Sequence, residues 1–512
     1  MRFHFIIIAL IWFQGFFLLA GPQPAALEIT ETTAPWKREE TEKLILHFEF
    51  EAALENLRAC NDPYAKAYYL NHILFYKVFA TEDGNLKKLF FENCDQALSI
   101  FEKMDKKSPY RKYYEGEIYF LRGIILFMSK KQLSAGWDIN KAFNRIKANQ
   151  LEHPAFIPNY KIIGLFEAGF GAVPEKYQYL TNFLGFKGDI HKGIEKMRIA
   201  SRNSELFPQE AQLLLHYAER KLLNNVDLAL SGLKKMLDNE PDNILFTYVF
   251  SNIAVNDKRS KEAIPRLEKI IRQKNNKKIF YIYFIDYLYG KACFYQLRYP
   301  EALNSLDLFI KGYKGTNFVV DAMFKKALIY ELQGDHITAK KLFLEITSLS
   351  KNDFDLDNYA IRYAPIFAEK PFSPDELLLQ KARNQFDGGF FAEASSTLQP
   401  LFQKITQLPA ETALELNYRM GRIAHEQKQG VKAKTYYQLA MLSKLTPEHP
   451  ALWMKVYATY YLGNLFEIEN QTADASIYYS KALQFKNYQY SNDLEQMARA
   501  GLERVKKKSV GK

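Results

Sequence analysis

Leu416–Phe485 has the sequence LNYRMGRIAHEQKQGVKAKTYYQLAMLSKLTPEHPALWMKVYATYYLGNLFEIENQTADASIYYSKALQF, in which one pattern occurs twice. The first copy has Gly421, Ala433, Tyr437 and Ala440, and the second has Gly463, Ala475, Tyr479 and Ala482. In each copy the offsets from the glycine are +12, +16 and +19, and the copies lie 42 residues apart (463 − 421). The pattern predicts two helices packed as a hairpin, with a small residue where they cross and an aromatic ring beside it.

This pattern resembles the tetratricopeptide repeat (TPR), which has Gly or Ala early in its helix A and Ala, Phe or Tyr, and Ala along its helix B. The resemblance implies an all-α fold, a right-handed superhelix of helical hairpins. It also implies that the A helices line the concave surface.

The helix-B pattern, an alanine with apolar residues at +4 and +7 on the same helical face, recurs along the chain. Its alanines are Ala97, Ala135, Ala229, Ala263, Ala302, Ala339, Ala394, Ala433 and Ala475. A close helix crossing requires a small residue twelve positions earlier. Seven of the nine have Gly, Ala or Ser there, and Asn85 and Tyr217 are the exceptions. We therefore expect hairpins along most of the chain.

The spacing of these alanines defines the expected domains. It widens to 94 residues (229 − 135) and to 55 residues (394 − 339). We expect a signal peptide at 1–20, a flexible lead-in at 21–38, an N-terminal and middle array at 39–350 with an insertion at 149–205, a hinge at 351–375, a C-terminal array at 376–505 and a basic tail at 506–512.

The insertion contains a glycine-rich passage, Gly164–Gly193. It resembles the signature of the tetratricopeptide repeat protein 39 and inclusion-body-clearance family, an intracellular family. The matching positions are Gly169, Gly171, Pro174, Leu184, Gly185, Phe186, Gly188, Asp189 and Gly193. The glycines are expected to let two helices approach closely, and the proline is expected to begin a new element.

The start of the chain is typical of exported proteins. An apolar run follows Arg2, and small residues and prolines follow Ala20. We expect cleavage there and a mature chain, periplasmic or secreted, that begins between Gly21 and Leu27. An uncleaved membrane anchor is the alternative. No second apolar segment has spanning length, so no integral membrane span is expected in the mature chain.

The distribution of charge predicts that nucleic acid is not a partner. The net charge of +11 is spread along the chain, whereas nucleic-acid binders concentrate basic residues on one element. The basic run at 504–508 is expected to be a solvated tail. Three cysteines form no disulfide framework. Cys60 and Cys94 could pair in an oxidising compartment, but buried thiols are the favoured interpretation.

Motifs for catalysis are missing from the sequence. The histidines and cysteines lack zinc-ligand spacing, and no nucleophile elbow or phosphate loop occurs. We therefore predict no catalytic residue, no metal and no cofactor, and a chain that is not an enzyme. A hydrolase with its site in the 157–193 insertion is a weaker alternative.

A groove lined by helix-A side chains is the predicted binding site for a protein or peptide. Its residues are Tyr418, Arg422, His425, Tyr457, Tyr460, Asn464, Phe284, Tyr287, Lys291, Arg383 and Phe386. Tyr418 and Arg422 are expected to face solvent. Packing of half of this set against neighbouring helices is the alternative.

The sequence thus predicts an exported, non-catalytic scaffold. A cell-envelope assembly or carbohydrate-uptake component is the first alternative. A buried polar cluster in the structure would favour the hydrolase, and an open aromatic trough would favour the scaffold.

Overall fold

The structure is a computed structural model that describes residues 36–173, 188–276, 278–350, 355–446, 449–486, 488 and 491–510. Within these ranges it contains twenty-four α-helices and no β-strand. The first twelve are α1 (Arg38–Leu46), α2 (Phe50–Arg58), α3 (Pro63–Thr81), α4 (Gly84–Phe101), α5 (Pro109–Met128), α6 (Gln132–Glu152), α7 (Asn159–Gly171), α8 (Ile190–Asn203), α9 (Pro208–Lys221), α10 (Val226–Asn239), α11 (Ile244–Asn256) and α12 (Ser260–Arg272). The others are α13 (Phe284–Tyr295), α14 (Tyr299–Gly312), α15 (Val319–Leu332), α16 (His336–Thr347), α17 (Asp355–Glu369), α18 (Pro374–Asp387), α19 (Phe391–Phe402), α20 (Ala410–Glu426), α21 (Gly430–Met441), α22 (Leu452–Ile468), α23 (Thr472–Gln484) and α24 (Ser491–Val510).

The predicted helix-B register is confirmed. Each of the nine alanines lies on the second helix of a hairpin, and none is more than 3% exposed. In eight of the nine hairpins the residue five positions before the alanine has a positive φ. These residues are Lys130, Asn224, Lys258, Leu297, Gly334, Gly389, Lys428 and Asn470. A left-handed residue at the same position therefore joins helix A to helix B in each of these eight hairpins.

The first hairpin, α3–α4, departs from this spacing. Its left-handed residue is Glu82, fifteen positions before Ala97 rather than five. Since α4 is 18 residues long, Asn85 lies on the same helix as Ala97 and does not belong to helix A. This explains why Asn85 failed the test for a small residue.

Space for the aromatic residue of helix B comes from the glycine of helix A. A methyl group on Gly421 would lie 2.6 Å from the Tyr437 ring, and one on Gly463 would lie 2.8 Å from the Tyr479 ring. Both rings are fully buried. The predicted crossing, with an aromatic ring beside a small residue, is confirmed in both copies.

The helices belong to two compact units. The first unit comprises the described residues up to Cys293, Tyr299–Ile329 and Ile337–Ala368, and the second comprises Phe294–Arg298, Tyr330–His336 and the residues from Glu369 onward. The predicted hinge at 351–375 contains the helix α17.

The glycine-rich insertion contains a hairpin of its own, formed by α7 and α8. A methyl group on Gly193 would lie 2.3 Å from the backbone of Ala168, and one on Gly164 would lie 2.7 Å from the carbonyl oxygen of Gly193. Only glycine permits backbones this close. Asp189 accepts a hydrogen bond from the Lys192 amide at 3.0 Å and caps α8. Pro174, Leu184, Gly185 and Phe186 lie outside the described residues.

The structure describes the C-terminal end of the chain more fully than the N-terminal end. The predicted signal peptide and most of the lead-in lie outside the described residues. None of the described helices has the length and apolar content needed to cross a membrane. At the other end, the basic run belongs to α24, where Val505 is buried and Arg504 pairs with Glu467, so these two residues do not form a solvated tail.

The cysteines are buried thiols, as favoured from the sequence. Cys60, Cys94 and Cys293 are all buried, and none of them forms a disulfide within the described residues. Burial raises the pKa of Cys94 to about 12.

Within the first unit, α3 lies at the centre. Thirteen of its nineteen residues are buried, and they cover all of its faces. Tyr68 bonds to Glu117 of α5, Tyr76 bonds to Glu210 of α9, and the Phe79 ring lies 5.9 Å from Tyr248 of α11. At the end of α3, Glu82 accepts two hydrogen bonds from Asn317, at 2.8 and 3.0 Å.

Candidate functional site

The structure buries about half of the predicted groove residues. Six of the eleven are no more than 9% exposed, namely Phe284, Tyr287, Lys291, Phe386, Tyr418 and Tyr460. The five that are partly exposed are Arg383, Arg422, His425, Tyr457 and Asn464. In the first unit, the Phe284 ring packs 4.8 Å from Tyr313 and the Lys291 ammonium donates to Asn256 at 2.8 Å. These groups pack among neighbouring helices and line no open trough.

In the second unit, Arg422 joins three A helices. Its guanidinium carbon lies 5.2 Å from the centre of the Phe386 ring on α18 and 4.3 Å from that of Tyr461 on α22. It also donates to the Tyr418 hydroxyl at 3.4 Å. Burial alone would lower the pKa of Arg422, but the neighbouring tyrosines outweigh this effect and raise it. Tyr418 is only 5% exposed, so the expectation that it faces solvent is wrong.

Partly exposed rings continue from Arg422 along α22. Trp453, Tyr457 and Tyr461 follow one another at four-residue steps, and consecutive ring centres are 5.8 and 6.2 Å apart. The same face has the partly exposed side chains of His425 and Asn464. We call Arg422, His425, Trp453, Tyr457, Tyr461 and Asn464 the aromatic face. It combines ring area with one guanidinium group.

A second candidate site lies in the first unit and has no open surface. The Lys161 ammonium on α7 lies 2.6 Å from carboxylate oxygens of both Glu117 and Glu210. Tyr68 donates a hydrogen bond to Glu117, and Tyr76 donates one to Glu210. These five residues come from four helices, and with His72 we call them the buried cluster.

His72 completes the buried cluster. Its Nδ1 lies 2.9 Å from the Tyr68 carbonyl oxygen, and its ring stacks on Phe207 with 4.6 Å between centres. Its Nε2 is buried, has no hydrogen-bond partner among the described residues, and lies 3.8 Å from Glu117 Oε2. Burial lowers the pKa of His72, so the imidazole is neutral at pH 7.

The charges in the cluster stabilise one another. Burial would lower the pKa of Lys161, but Glu117 and Glu210 outweigh it and raise that pKa. Burial would raise the pKa of Glu210, but the Lys161 ammonium outweighs this effect and lowers it. The cluster is thus an ammonium held between two carboxylates, with tyrosine hydroxyls satisfying the remaining oxygens.

The cluster has donor atoms that could hold a metal ion. Atoms of His72, Glu117 and Glu210 all lie within 4.8 Å of one another. However, the Lys161 ammonium is already bound to both carboxylates and supplies the positive charge. The residues therefore do not fit an added divalent cation.

Access to the cluster is closed. The side chains of Lys161 and Glu117 are each 1% exposed. The adjoining cavity, lined by Phe75, Leu121 and Leu213 among others, has about 20 Å³ of free space, which is room for about one water molecule. A substrate has no room beside these groups.

Sequence reasoning missed the buried cluster because its histidine and its three charged residues are 44 to 49 residues apart along the chain (117 − 72, 161 − 117, 210 − 161). A signal was nevertheless present. Lys161 is the single charge between Pro154 and Phe166, and α3 is largely apolar on every side, which indicates a buried helix.

The hairpins, their recurring left-handed residue and their glycine crossings define this chain as a TPR-like helical-repeat protein. No protein-family model matches it, and no curated protein matches it.

Several solved structures are similar to the chain. One is the crystal structure of the P58(IPK) TPR domain, with 14% identity over 86% of this chain and 97% of that one and a TM-score of 0.22. The human IFIT1 dimer with PPP-AAAA has 14% identity over 76% and 94%, with a TM-score of 0.28. The APC/C hetero-tetramer Cut9–Hcn1 has 12% identity over 91% and 95%, with a TM-score of 0.25.

Proposed function

We propose that this protein is an exported, non-catalytic scaffold whose aromatic face binds an extended segment of a protein partner. One observation carries the proposal: Trp453, Tyr457 and Tyr461 are partly exposed in a row along α22, and Arg422 lies over the last of these rings. Aromatic and arginine side chains dominate the binding energy of protein interfaces.

The chemistry of the face suits a peptide. Rings at four-residue steps supply apolar area along α22, and a guanidinium group can bind a carboxylate or a backbone carbonyl. Asn464 adds an amide that both donates and accepts hydrogen bonds. In the first unit the corresponding space is filled from within, by α3 and by the rings around Phe284. The partner is therefore assigned to the second unit.

The buried cluster is the kind of feature that would favour the hydrolase alternative, but its geometry argues against catalysis. Its residue types are those of many active sites, and Lys161 belongs to the 157–193 passage, as the hydrolase alternative requires. Yet the cavity beside the cluster holds about one water molecule, and the charged groups satisfy one another. We assign the cluster to the stability of the first unit.

Export and ancestry complete the proposal. The apolar run before Ala20 supports a cleaved signal peptide and a periplasmic or cell-envelope location. N-terminal sequencing of the exported protein is expected to find a start between Gly21 and Leu27, and an intact Met1 would contradict this. The α7–α8 hairpin, with its Gly164–Gly193 crossing, supports shared ancestry with the tetratricopeptide repeat protein 39 family.

Site-specific crosslinking tests the aromatic face. A photoreactive phenylalanine at position 457 of the full chain is expected to capture the partner in its native envelope. The same group at position 477 serves as the control, because Ile477 is 61% exposed on α23 and lies outside the face.

The variant Tyr457→Ala should then reduce recovery of the captured protein at least tenfold, while Ile477→Ala leaves it unchanged. Equal capture from both positions, or equal recovery with both variants, would contradict the proposed face. Melting temperatures of both variants establish that the fold is intact.

A further inference from the structure

An open cleft lies in the first unit, where α4, α5 and α6 meet. It has about 330 Å³ of free space and is lined by Phe91, Asp95, Arg122, Leu126, Ser134, Trp137 and Asp138. This volume is within the range of small-molecule sites, about 300–1,000 Å³. The cleft is far larger than the space beside the buried cluster and opens to solvent.

The polar part of the cleft is rigid. Arg122 donates to both carboxylate oxygens of Asp138, at 2.6 and 3.0 Å, and to Asp95 at 2.7 Å. The Arg122 and Asp138 side chains are only 16% and 7% exposed, whereas the Asp95 side chain is 74% exposed. Three of the five guanidinium N–H groups are used in these bonds, so the site presents further donors beside carboxylate acceptors.

The apolar part of the cleft is a tryptophan. Trp137 is 69% exposed, and Phe91 and Leu126 lie in the wall beside it. Exposure of so large a ring leaves apolar area in water that a ligand could cover. The cleft thus combines a flat apolar surface with adjoining donors and acceptors.

We infer that this cleft binds a neutral sugar ring of an oligosaccharide. The C–H face of a sugar is apolar and flat enough to stack on an indole, and each hydroxyl group both donates and accepts hydrogen bonds. Asp95 accepts from such hydroxyls, and Arg122 donates to them. A simple anion would be repelled, because the two carboxylates outnumber the one guanidinium group. This inference goes beyond the proposed scaffold function and does not depend on it.

Fluorine NMR of the full chain tests the inference. The chain has four tryptophans, so 5-fluorotryptophan labelling gives a small set of signals, and the Trp137→Phe variant identifies that of position 137. The probes are cellobiose, maltose, xylobiose and N,N′-diacetylchitobiose, each up to 10 mM, with digalacturonate as a charged comparison. At least one neutral disaccharide is expected to shift the signal of Trp137, and digalacturonate is not.

Two variants complete the test. Trp137→Ala should weaken binding of the active disaccharide at least tenfold in calorimetric titration. Leu133→Ala, one turn away on α6 and 85% exposed but outside the cleft lining, should not change it. Failure of every neutral disaccharide to shift the Trp137 signal would overturn the inference. Equal binding by Trp137→Ala, or preferred binding of digalacturonate, would overturn it as well.

Discussion

The guanidinium group of Arg422 lies over the ring of Tyr461, with 4.3 Å from its carbon to the ring centre. The two residues belong to the A helices of consecutive hairpins, α20 and α22. A cation over an aromatic face contributes about 0.5–2 kcal/mol, with the larger values where water is excluded. The aromatic face is therefore partly an interface between repeats, and only its exposed edges remain for a partner.

A first prediction follows for Tyr418 and Arg422. The double change Tyr418→Ala, Arg422→Glu should lower the free energy of unfolding by about 3 kcal/mol or more, because a buried ring is removed and a charge is inverted beside rings. Urea denaturation measures this. The exposed Lys432→Ala on α21 should change stability by less than about 0.5 kcal/mol. A double variant as stable as this control would mean that Tyr418 is not packed as described.

A second prediction concerns the crossing at Ala475. This residue is fully buried, and its carbonyl oxygen would lie 3.3 Å from a methyl group on Gly463. Ala475→Leu should therefore overpack the crossing and destabilise the second unit by about 1–3 kcal/mol. Thermal denaturation monitored by circular dichroism checks this. Ala473→Leu, on the exposed side of α23, is the matched control and should leave the melting temperature unchanged.

A third prediction concerns Lys161. The change Lys161→Met should destabilise the first unit by about 3–5 kcal/mol, because it leaves Glu117 and Glu210 buried without their counter-charge. The triple variant with Glu117→Gln and Glu210→Gln should recover a large part of this loss in denaturant titration. If the triple variant is no more stable than Lys161→Met alone, the loss of stability in Lys161→Met does not come from the unpaired carboxylates of Glu117 and Glu210.

A fourth prediction concerns pH. Burial raises the pKa of Glu82 to about 7, against about 4.5 in the unfolded chain. Between these values the folded chain binds more protons than the unfolded chain, so the contribution of Glu82 to stability falls as pH rises. The slope is at most about 1.4 kcal/mol per pH unit.

The measurement is the difference in unfolding free energy between the wild type and Glu82→Gln at pH 5, 6 and 7. This difference should shift against the wild type as pH rises, since the amide does not titrate. Taking the difference is necessary because the lowered pKa of His72 acts in the opposite direction, raising stability with pH up to about 6.5. A difference that is constant from pH 5 to 7 would show that Glu82 titrates normally.

A fifth prediction uses the left-handed residue between helices. Lys428 has φ +59°, a conformation that costs a side-chain-bearing residue about 1 kcal/mol and costs glycine little. Lys428→Gly should therefore leave stability unchanged or raise it by up to about 1 kcal/mol. Lys432→Gly, within α21, should lower it by about 1 kcal/mol. Equal losses from both changes would show that the turn residue is not strained.

The hairpin register was predictable from the sequence because it depends on local spacing. Ala433 and Gly421 are twelve residues apart, and both are small, as a close helix crossing requires. The α7–α8 hairpin was foreseen only as a glycine-rich passage, because its contacts are between backbones and use no helix-B alanine. Asn85 breaks the pattern because α4 is long enough to include it. The periodicity of apolar residues does not predict where a helix begins.

The candidate sites were harder to predict, since burial depends on what packs against a helix face. Tyr418 and Tyr457 both occupy helix-A positions, yet Tyr418 is covered by Trp453 at 5.5 Å between ring centres and Tyr457 is not fully covered. The cleft at Trp137 requires three helices, and a single tryptophan among polar residues gives no local pattern.

The bond between Glu82 and Asn317 joins positions 235 residues apart. Linear repeat arrays are quasi-one-dimensional, so that folding nucleates at any repeat and propagates to the next. In the first unit, α3 also has partners that are distant in sequence, and such non-local contacts slow folding. During synthesis, α3 leaves the ribosome long before Asn317, so its apolar faces stay uncovered in the meantime. We expect a chaperone to bind the nascent chain during that interval.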